Sequence, residues 1–454
     1  MKVHFIAIGG SAMHNLALAL NQNGDEVSGS DDAIFEPSKS RLDARGLLPE
    51  TLGWDEKRIT SDLDAVILGM HAKADNPELR RAKELGLTIF SYPEFLYSRC
   101  KNKTRVVIGG SHGKTTITSM ILHVLRYNDR SVDFMVGAQL AGYDTMVHLT
   151  QDNEFMLLEG DEYLSSPIDR RPKFHLYAPN IALISGIAWD HINVFPTFEN
   201  YCLQFSEFIE KMIPGGTLIY NEEDETVRAL VEQSNHPIKK IPYRCAPHSI
   251  DQGVTYLETP EGELPIEIFG AHNLSNLEGA RWICQLMGVD SEDFYEAIGS
   301  FQGASKRLER LLDKKGLVVF KDFAHAPSKV SATVSAVREQ YPNHQLVACL
   351  ELHTYSSLST DFIGQYNQTL KLADNAVVFY QPETLAIKNR PSIDPEVIRA
   401  SFNRQDLRVI TDTDTLFNYI QSLEERPLVL LLMSSGNYGG LDLTKLFVQP
   451  NKWI

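Results

Sequence analysis

Long apolar runs are missing from this 454-residue chain. The longest stretch near the end, Leu428 to Met433, falls far short of the ~20 residues a helix needs to cross a bilayer, so no membrane association is expected. Cysteine is scarce and scattered: Cys100, Cys202, Cys245, Cys284 and Cys349 have no metal-type spacing. They read as reduced thiols in a cytoplasm rather than a disulfide framework or a zinc site. An excess of basic residues is also lacking. The 43 Lys and Arg against 59 Asp and Glu leave a net charge of −16, which argues against a general nucleic-acid binder. Anionic small substrates stay open, because they need only a local basic pocket. No solenoid repeat or low-complexity segment is found. No leader is expected, since the N-terminus runs straight into strand-like VHFIAI. With 43% hydrophobic and 22% charged residues, a chain this long is predicted to form two to four soluble domains.

What is present is organised around Thr104 to Leu125. Arg105 to Ile108 is a β-branched run that predicts a buried strand. Gly109, Gly110 and Gly113 loosen the backbone, Lys114, Thr115 and Thr116 follow, and Ile117, Met120, Ile121, Val124 and Leu125 recur at helical spacing. Strand, glycine loop, Lys-Thr and helix in this order suit a nucleotide triphosphate. Main-chain N–H groups of Gly110, Ser111, His112 and Gly113 would close on phosphate oxygens at a helix N-terminus, Lys114 would reach the outer phosphates and the Thr115 hydroxyl would hold magnesium. A strict eight-residue phosphate loop would have glycine where Ile108 stands, so this loop is shorter. The bland alternative is a glycine-rich turn with a surface lysine.

Before it, Val3 to Ile8 predicts a first parallel strand, Gly9 and Gly10 a turn, and Met13, Leu16, Ala17 and Leu20 a helix face. A second strand ends in Ser30-Asp31-Asp32, as in a Rossmann-like unit. The full dinucleotide fingerprint is absent, so NAD, another nucleotide-linked ligand, or none are equally compatible. A short polar linker at 100–104 marks a boundary. Beyond the phosphate loop, the apolar strand Phe155 to Leu158 runs into Glu159-Gly160-Asp161-Glu162. Acids there are natural magnesium ligands, or else a solvated turn. Another strand ends in Trp189-Asp190-His191, where the His binds a metal, orients a carboxylate, or is structural. Residues 221–265 are polar and carry no clear pattern. From Leu317, strands at 317–320, 346–350, 376–380, 408–410 and 428–433 alternate with helical segments and predict a further parallel α/β unit.

Taken in order, Gly110 to Thr116, Glu159 to Glu162, Asp190-His191, Gly270-Ala271-His272-Asn273, Lys306-Arg307-Leu308-Glu309 and Asp322-Phe323-Ala324-His325-Ala326-Pro327 resemble the motifs of the Mur ligases, over nearly the whole chain. The resemblance implies three α/β domains: a Rossmann-like UDP-sugar domain at 1–103, a central P-loop ATPase-type domain at 104–309, and a Rossmann-like ligase domain at 310–454. It implies ATP and Mg2+, with UDP-N-acetylmuramate and a small peptide or amino acid as partners, in a monomer or weak homo-oligomer. Lys114, His191 and Arg307 would be catalytic. Thr115, Glu159 and His191 would hold metal. His272 and Asn273 would border the adenine, Asp322 would meet the ribose, and His325 would lie by the nucleotide or substrate. Gly9, Gly10, Ser11, Ser30 and Asp31 would hold the UDP-sugar.

Within the family, Ser30 to Pro37, Asp169 to Phe174 and Trp189 to Pro196 resemble the branch that recycles L-alanyl-γ-D-glutamyl-meso-diaminopimelate. The L-alanine-adding branch is the alternative; it normally carries a serine where this chain has Tyr163. Both branches have an arginine after the strand ending at Glu351, where this chain has Leu352-His353-Thr354-Tyr355-Ser356-Ser357. An NAD-dependent dehydrogenase or a non-catalytic ATP module would leave most of these motifs without a task. Folylpolyglutamate synthetase shares only the middle and last domains.

Overall fold

The structure is a computed structural model and describes residues 1–140, 142–303, 307–314, 316–387, 393–423 and 427–442. It divides into two compact units, one of Met1–Ile187, Thr197–Arg244 and Gly279–Phe294, the other of Ala188–Pro196, Cys245–Glu278 and Tyr295–Ile454. These units are not contiguous in sequence, unlike the three segments expected. The stretch containing Asp190 and His191 groups with the C-terminal one.

The first unit carries two sheets. Strands β1 (Lys2–Ile6), β2 (Glu26–Ser30), β3 (Ala65–Leu68) and β4 (Ile89–Ser91) form a parallel sheet in the order β2-β1-β3-β4. Helices α1 (Ser11–Gln22), α2 (Ser38–Asp43), α3 (Pro77–Glu84) and α4 (Tyr92–Cys100) accompany it. Strand β1 stops two residues earlier than its apolar pattern predicts. Ala7 turns to φ 70°, and both Ala7 N and Ile8 N donate to Ser30 O, so the turn begins before the glycines.

The second sheet holds β5 (Thr104–Gly109), β6 (Asp133–Met135), β7 (Val147–His148), β8 (Phe155–Glu159), β9 (Ile181–Ile184), β10 (Thr217–Asn221) and β11 (Lys239–Tyr243), ordered β11-β10-β9-β5-β8-β6-β7. Only the β6–β7 pair is antiparallel. Helix α5 (Lys114–Tyr127) leaves β5 toward β6, whereas α6 (Phe198–Glu210) connects β9 to β10 on the other side. The carboxyl ends of β5 and β9 are therefore a topological switch point, where open α/β sheets bind ligands.

The unpatterned stretch 221–265 resolves into α7 (Glu225–Gln233), strand β11, and a small antiparallel sheet of β12 (His248–Asp251), β13 (Val254–Thr259) and β14 (Gly262–Ile266). Its strands are half exposed, with only Thr255 and Leu257 buried in β13, so they lack an apolar run. Helices α8 (Ala271–Leu286), α9 (Ser291–Ile298) and α10 (Pro327–Gln340) follow. The second unit's main sheet contains β15 (Glu309–Lys314), β16 (Leu317–Asp322), β17 (Gln345–Glu351), β18 (Asn375–Phe379), β19 (Arg408–Ile410) and β20 (Leu428–Met433), ordered β15-β16-β20-β17-β18-β19. Strand β15 adds antiparallel to an otherwise parallel sheet. β20 runs between β16 and β17 and is buried on both faces, as its unbroken apolar sequence requires. Leu431 there is fully buried. Leu431→Ala should lower unfolding free energy by about 2–5 kcal/mol, read as a lower urea midpoint of the transition that includes this sheet.

Candidate functional site

The loop after β5 is shaped by contacts across the switch point. Ser111 N donates to Gly186 O at 2.9 Å and Ser185 N to Gly109 O at 3.1 Å, while Ser185 Oγ donates to His112 O. Gly110 has φ 132°, and a Cβ there would lie 2.2 Å from Ser185 Oγ. Gly113, at φ 76°, directly precedes α5. Thr115 and Thr116 are buried in the first turn of that helix.

Lys114 folds back over the loop. Its Nζ donates to Gly110 O at 2.5 Å and to Glu162 Oε2 at 2.6 Å. Burial alone would lower the ammonium's pKa, but Glu162 and Asp161 outweigh it and hold the pKa above its ordinary value. Glu162 is buried and accepts from Tyr201 Oη at 3.0 Å. That phenol has spent its only proton, so at 2.8 Å Ser111 Oγ is the donor to Tyr201. Neither Glu162's pairing with Lys114 nor the part played by Tyr201 was readable beforehand. A tyrosine in an amphipathic helix looks like core, and the pairing is tertiary.

Glu159, the last residue of β8, accepts from Thr115 Oγ1 and from Gly137 N, each at 2.8 Å. A Cβ on Gly137 would lie 2.9 Å from Glu159 Oε1, so the glycine lets the backbone reach the carboxylate. The structure thus brings Gly110, Ser111, His112, Gly113, Lys114, Thr115, Thr116 and Glu159 together. Asp161 sits nearby; burial would raise its pKa, but Lys173, with Nζ at 2.5 Å, brings it below the usual carboxylate range.

On the other sheet of this unit, Gly9 N donates to Asp31 Oδ2 at 2.7 Å. Burial raises the Asp31 carboxyl above its usual range. Gly10 precedes α1 without a side-chain cap, and Ser11 opens the helix. Ser30 is fully buried, and its hydroxyl donates inward to Glu78. His14 Nδ1 donates to Gly10 O at 3.0 Å, while Nε2 accepts from Asn15 Nδ2 at 3.0 Å and Arg41 Nη1 at 3.3 Å. Burial first, then Arg41, lowers its pKa, and the bond to Gly10 opposes this only in part.

The remaining predicted residues belong to the second unit. Asp190 is held below the usual carboxylate range: burial would raise it, but His191 and Lys329 outweigh that. His191 has φ 55°, and its N–H donates to Asp190 Oδ1 at 2.7 Å. Burial pushes the His325 imidazole down to about 4, and its Nδ1–H donates to Phe323 O at 2.8 Å. Arg307 lies over the Phe323 ring at 4.8 Å; Lys306, beside it in the motif, lies outside the described residues. Asp322 accepts from Thr333 Oγ1 at 2.6 Å and Leu308 N at 3.1 Å, so it fixes the backbone next to Arg307. Asn273 Nδ2 donates to Phe269 O at 3.0 Å. His272 is lowered by burial, which Asp322 partly opposes. Among the described residues no cluster of three His, Cys, Asp or Glu side chains forms a metal cage.

A glycine loop opening a helix at a switch point, a lysine inside it and a Thr–carboxylate pair beside it define a nucleotide-triphosphate enzyme. Three family descriptions match consecutive segments: "Mur ligase family, catalytic domain" at 2–104, "Mur ligase middle domain" at 108–282 and "Mur ligase, glutamate ligase domain" at 306–436. The chain belongs to the Mur ligase family of ATP-dependent, ADP-forming ligases that make C–N bonds, with its three-domain α/β fold. It is 30% identical over 393 residues to the UDP-N-acetylmuramate–L-alanine ligase of Caldicellulosiruptor bescii, covering 83% of each chain. It is 27% identical over 457 residues to the UDP-N-acetylmuramate–L-alanyl-γ-D-glutamyl-meso-2,6-diaminoheptandioate ligase of Escherichia coli, covering 97% of this chain and 96% of that one.

Two solved structures share the fold. The UDP-N-acetylmuramate-alanine ligase of Thermotoga maritima has a TM-score of 0.68 at 20% identity, covering 98% of this chain and 97% of that one. The murein peptide ligase of Psychrobacter arcticus has a TM-score of 0.65 at 21% identity, covering 98% of both. Most of the curated relatives found are L-alanine ligases, so the peptide-recycling branch expected from sequence is not singled out.

Two outcomes follow from this geometry. Gly110→Ala should abolish ATP turnover and lower the melting temperature while circular dichroism keeps its wild-type shape, because the Cβ at φ 132° clashes with Ser185 after β9. The second concerns His14. Unfolded, it takes a proton near pH 6.5; folded, only at lower pH. The stability present above about pH 6.5 is therefore lost as the pH falls, by up to ~1.4 kcal/mol per unit. Melting temperatures of His14→Gln between pH 7 and 5 should fall less steeply than wild type.

Proposed function

We propose that this chain joins the lactyl carboxylate of UDP-N-acetylmuramate to an amine, with ATP activating the carboxylate as an acyl phosphate. The observation that carries the reading is the Lys114 loop lying beside the Thr115–Glu159 pair. The physical task is to bring a carboxylate up to a triphosphate. At ~4 Å two such charges repel by about 4 kcal/mol at an effective dielectric near 20. Lys114 is the cation that opposes this repulsion, exchanging Glu162 for phosphate oxygens. The loop amides orient the phosphates at the start of α5.

Oxygen donors suit magnesium, and the Thr115 hydroxyl with the Glu159 carboxylate fits it. When bound, the ion neutralises phosphate charge. His191 offers a nitrogen, a poorer donor for so hard a cation; we assign it, with Asp190, to the side of the acyl phosphate and a second ion. Arg307 we assign to phosphate charge, His272 and Asn273 to the adenine border, Asp322 to the ribose edge through the backbone it fixes, and His325 to the substrate side. Gly9, Gly10, Ser11 and Asp31 make the UDP-sugar end, with Ser30 buried behind them and its hydroxyl on Glu78. The working segments remain 1–103, 104–309 and 310–454. We read the enzyme as cytoplasmic; separately, no described helix is long and apolar enough to cross a membrane. A monomer or weak homo-oligomer suffices for this chemistry.

L-Alanine is the acceptor the relatives favour, since most of those found carry that activity in their names. The tripeptide L-alanyl-γ-D-glutamyl-meso-diaminopimelate is the second reading. It is favoured by Ser30 to Pro37, Asp169 to Phe174, Trp189 to Pro196 and Tyr163, and by the E. coli relative. ADP release with UDP-N-acetylmuramate and either free L-alanine or the tripeptide decides between them; the preferred acceptor should give the higher kcat/KM. In the same assay Lys114→Ala should reduce turnover at least 1,000-fold (about 4 kcal/mol of transition-state stabilisation) without unfolding the chain. Near-wild-type turnover would overturn the role of the loop.

A further inference from the structure

The N-terminal sheet hides a carboxylate that the reaction above leaves without a task. Glu78 is fully buried in the first turn of α3, whose start is fixed by Pro77 and by Asn76 Oδ1 accepting from Glu78 N and Leu79 N. Three hydrogen-bonding groups and one ion-pair partner, from three separate segments, converge on it. Ser30 Oγ, at the end of β2, donates to Oε2, and His4 Nε2, in β1, lies 3.4 Å from the same oxygen. Asp55 N donates to Oε1 at 2.9 Å, and Arg58 Nη1 lies 3.6 Å from it. His4 is itself oriented by Ser28 Oγ at 2.9 Å from Nδ1.

A fold needing only a plug here would be served as well by an apolar side chain, because a buried charge must offset its desolvation. What the charge adds is a fixed relation between parts. Ser30 is followed by Asp31, whose carboxylate takes the Gly9 N–H and whose carbonyl accepts from Gly53 N at 2.8 Å. Arg58 in turn donates to Gly53 O and Thr51 O, each at 2.8 Å. Glu78 thus ties the end of β2 and the 51–58 segment into one frame, which meets the Gly9-Gly10 turn before α1 through the Asp31 carboxylate.

We infer that Glu78 is a positioning residue for UDP-sugar binding, acting through Ser30 and the Asp55 amide to hold Asp31 against the turn after β1. This rests on the assignment of that turn to the UDP-sugar. Glu78 touches no ligand. With the carboxylate made an amide, either Ser30 Oγ–H or Asp55 N–H faces an NH2 donor in place of an acceptor oxygen, and the 51–58 segment no longer holds the Asp31 backbone in register. The cost falls on the UDP-sugar and not on ATP, whose loop lies on another sheet.

The test is steady-state kinetics of the full chain with each substrate varied in turn, beside calorimetric titration of UDP-N-acetylmuramate. Glu78→Gln should raise KM for UDP-N-acetylmuramate about tenfold, leave KM for ATP within about twofold, and lower kcat less than it raises KM. Ser30→Ala should act in the same direction by about threefold, and the double variant should cost less than the product of the two, as for groups sharing one interaction. If Glu78→Gln does not fold, Ser30→Ala carries the test alone. An unchanged KM for UDP-N-acetylmuramate in the folded variants, or both KM values rising together with the melting temperature falling, overturns the inference and leaves the UDP-sugar assignment standing. Failure of the wild-type chain to bind UDP-N-acetylmuramate overturns both.

Discussion

A half-buried ammonium against a buried carboxylate has to stay paired, and much of the phosphate loop is arranged around that need. Lys114 is largely withdrawn from water against Gly110 O and Glu162. Breaking such a pair from one side costs on the order of 3–5 kcal/mol, because the surviving charge stays buried. Glu162 is held in turn by Tyr201, and Tyr201 by Ser111, which belongs to the loop itself. The cation, its counter-charge and the backbone that would wrap the phosphates are one closed circuit. In the proposed reading a triphosphate enters it by offering Lys114 better charge than Glu162 does.

The same fold element appears a second time in the first unit with a different solution. Strand β1, a turn and helix α1 repeat the plan of β5, loop and α5, but no lysine follows the turn. Instead a carboxylate, Asp31, caps Gly9 N from the neighbouring strand. The phosphate loop is thus poised by a cation and the N-terminal turn by an acid. That difference fits the division of labour we propose: one turn must stabilise charge that develops during reaction, the other needs only to hold a stable ligand.

How much of this was legible in sequence depends on the range of the interaction concerned. The strand, glycines, Lys114 and apolar helix face of the phosphate loop are local, and they form where the pattern places them. β20 was legible because a strand buried on both faces must be apolar throughout. The antiparallel sheet of β12, β13 and β14 was not, since half-exposed strands mix polar and apolar residues without a clear period. Glu78 was invisible for another reason. In Asn76-Pro77-Glu78-Leu79-Arg80-Arg81 it reads as part of a solvated helix face, and only the folded sheet brings Ser30 and His4 to it. Tyr201 and Glu162, 39 positions apart, were hidden likewise.

The acidic character of the chain acquires a local meaning from these contacts. Bulk charge of −16 would repel anionic substrates, yet at the phosphate loop the nearest acid is neutralised by a cation. Glu162 occupies on Lys114 a donor that, in the reading proposed above, an anionic ligand would claim. It keeps that donor satisfied, and leaving a charged donor unpaired would cost more than the ~1–3 kcal/mol of a neutral group. A ligand therefore gains only the difference between its own bonds and those it displaces. That tempers affinity and favours groups of higher charge than a carboxylate. A triphosphate meets that condition and a simple carboxylic acid does not, so in the proposed reading the loop discriminates by charge before any shape is read.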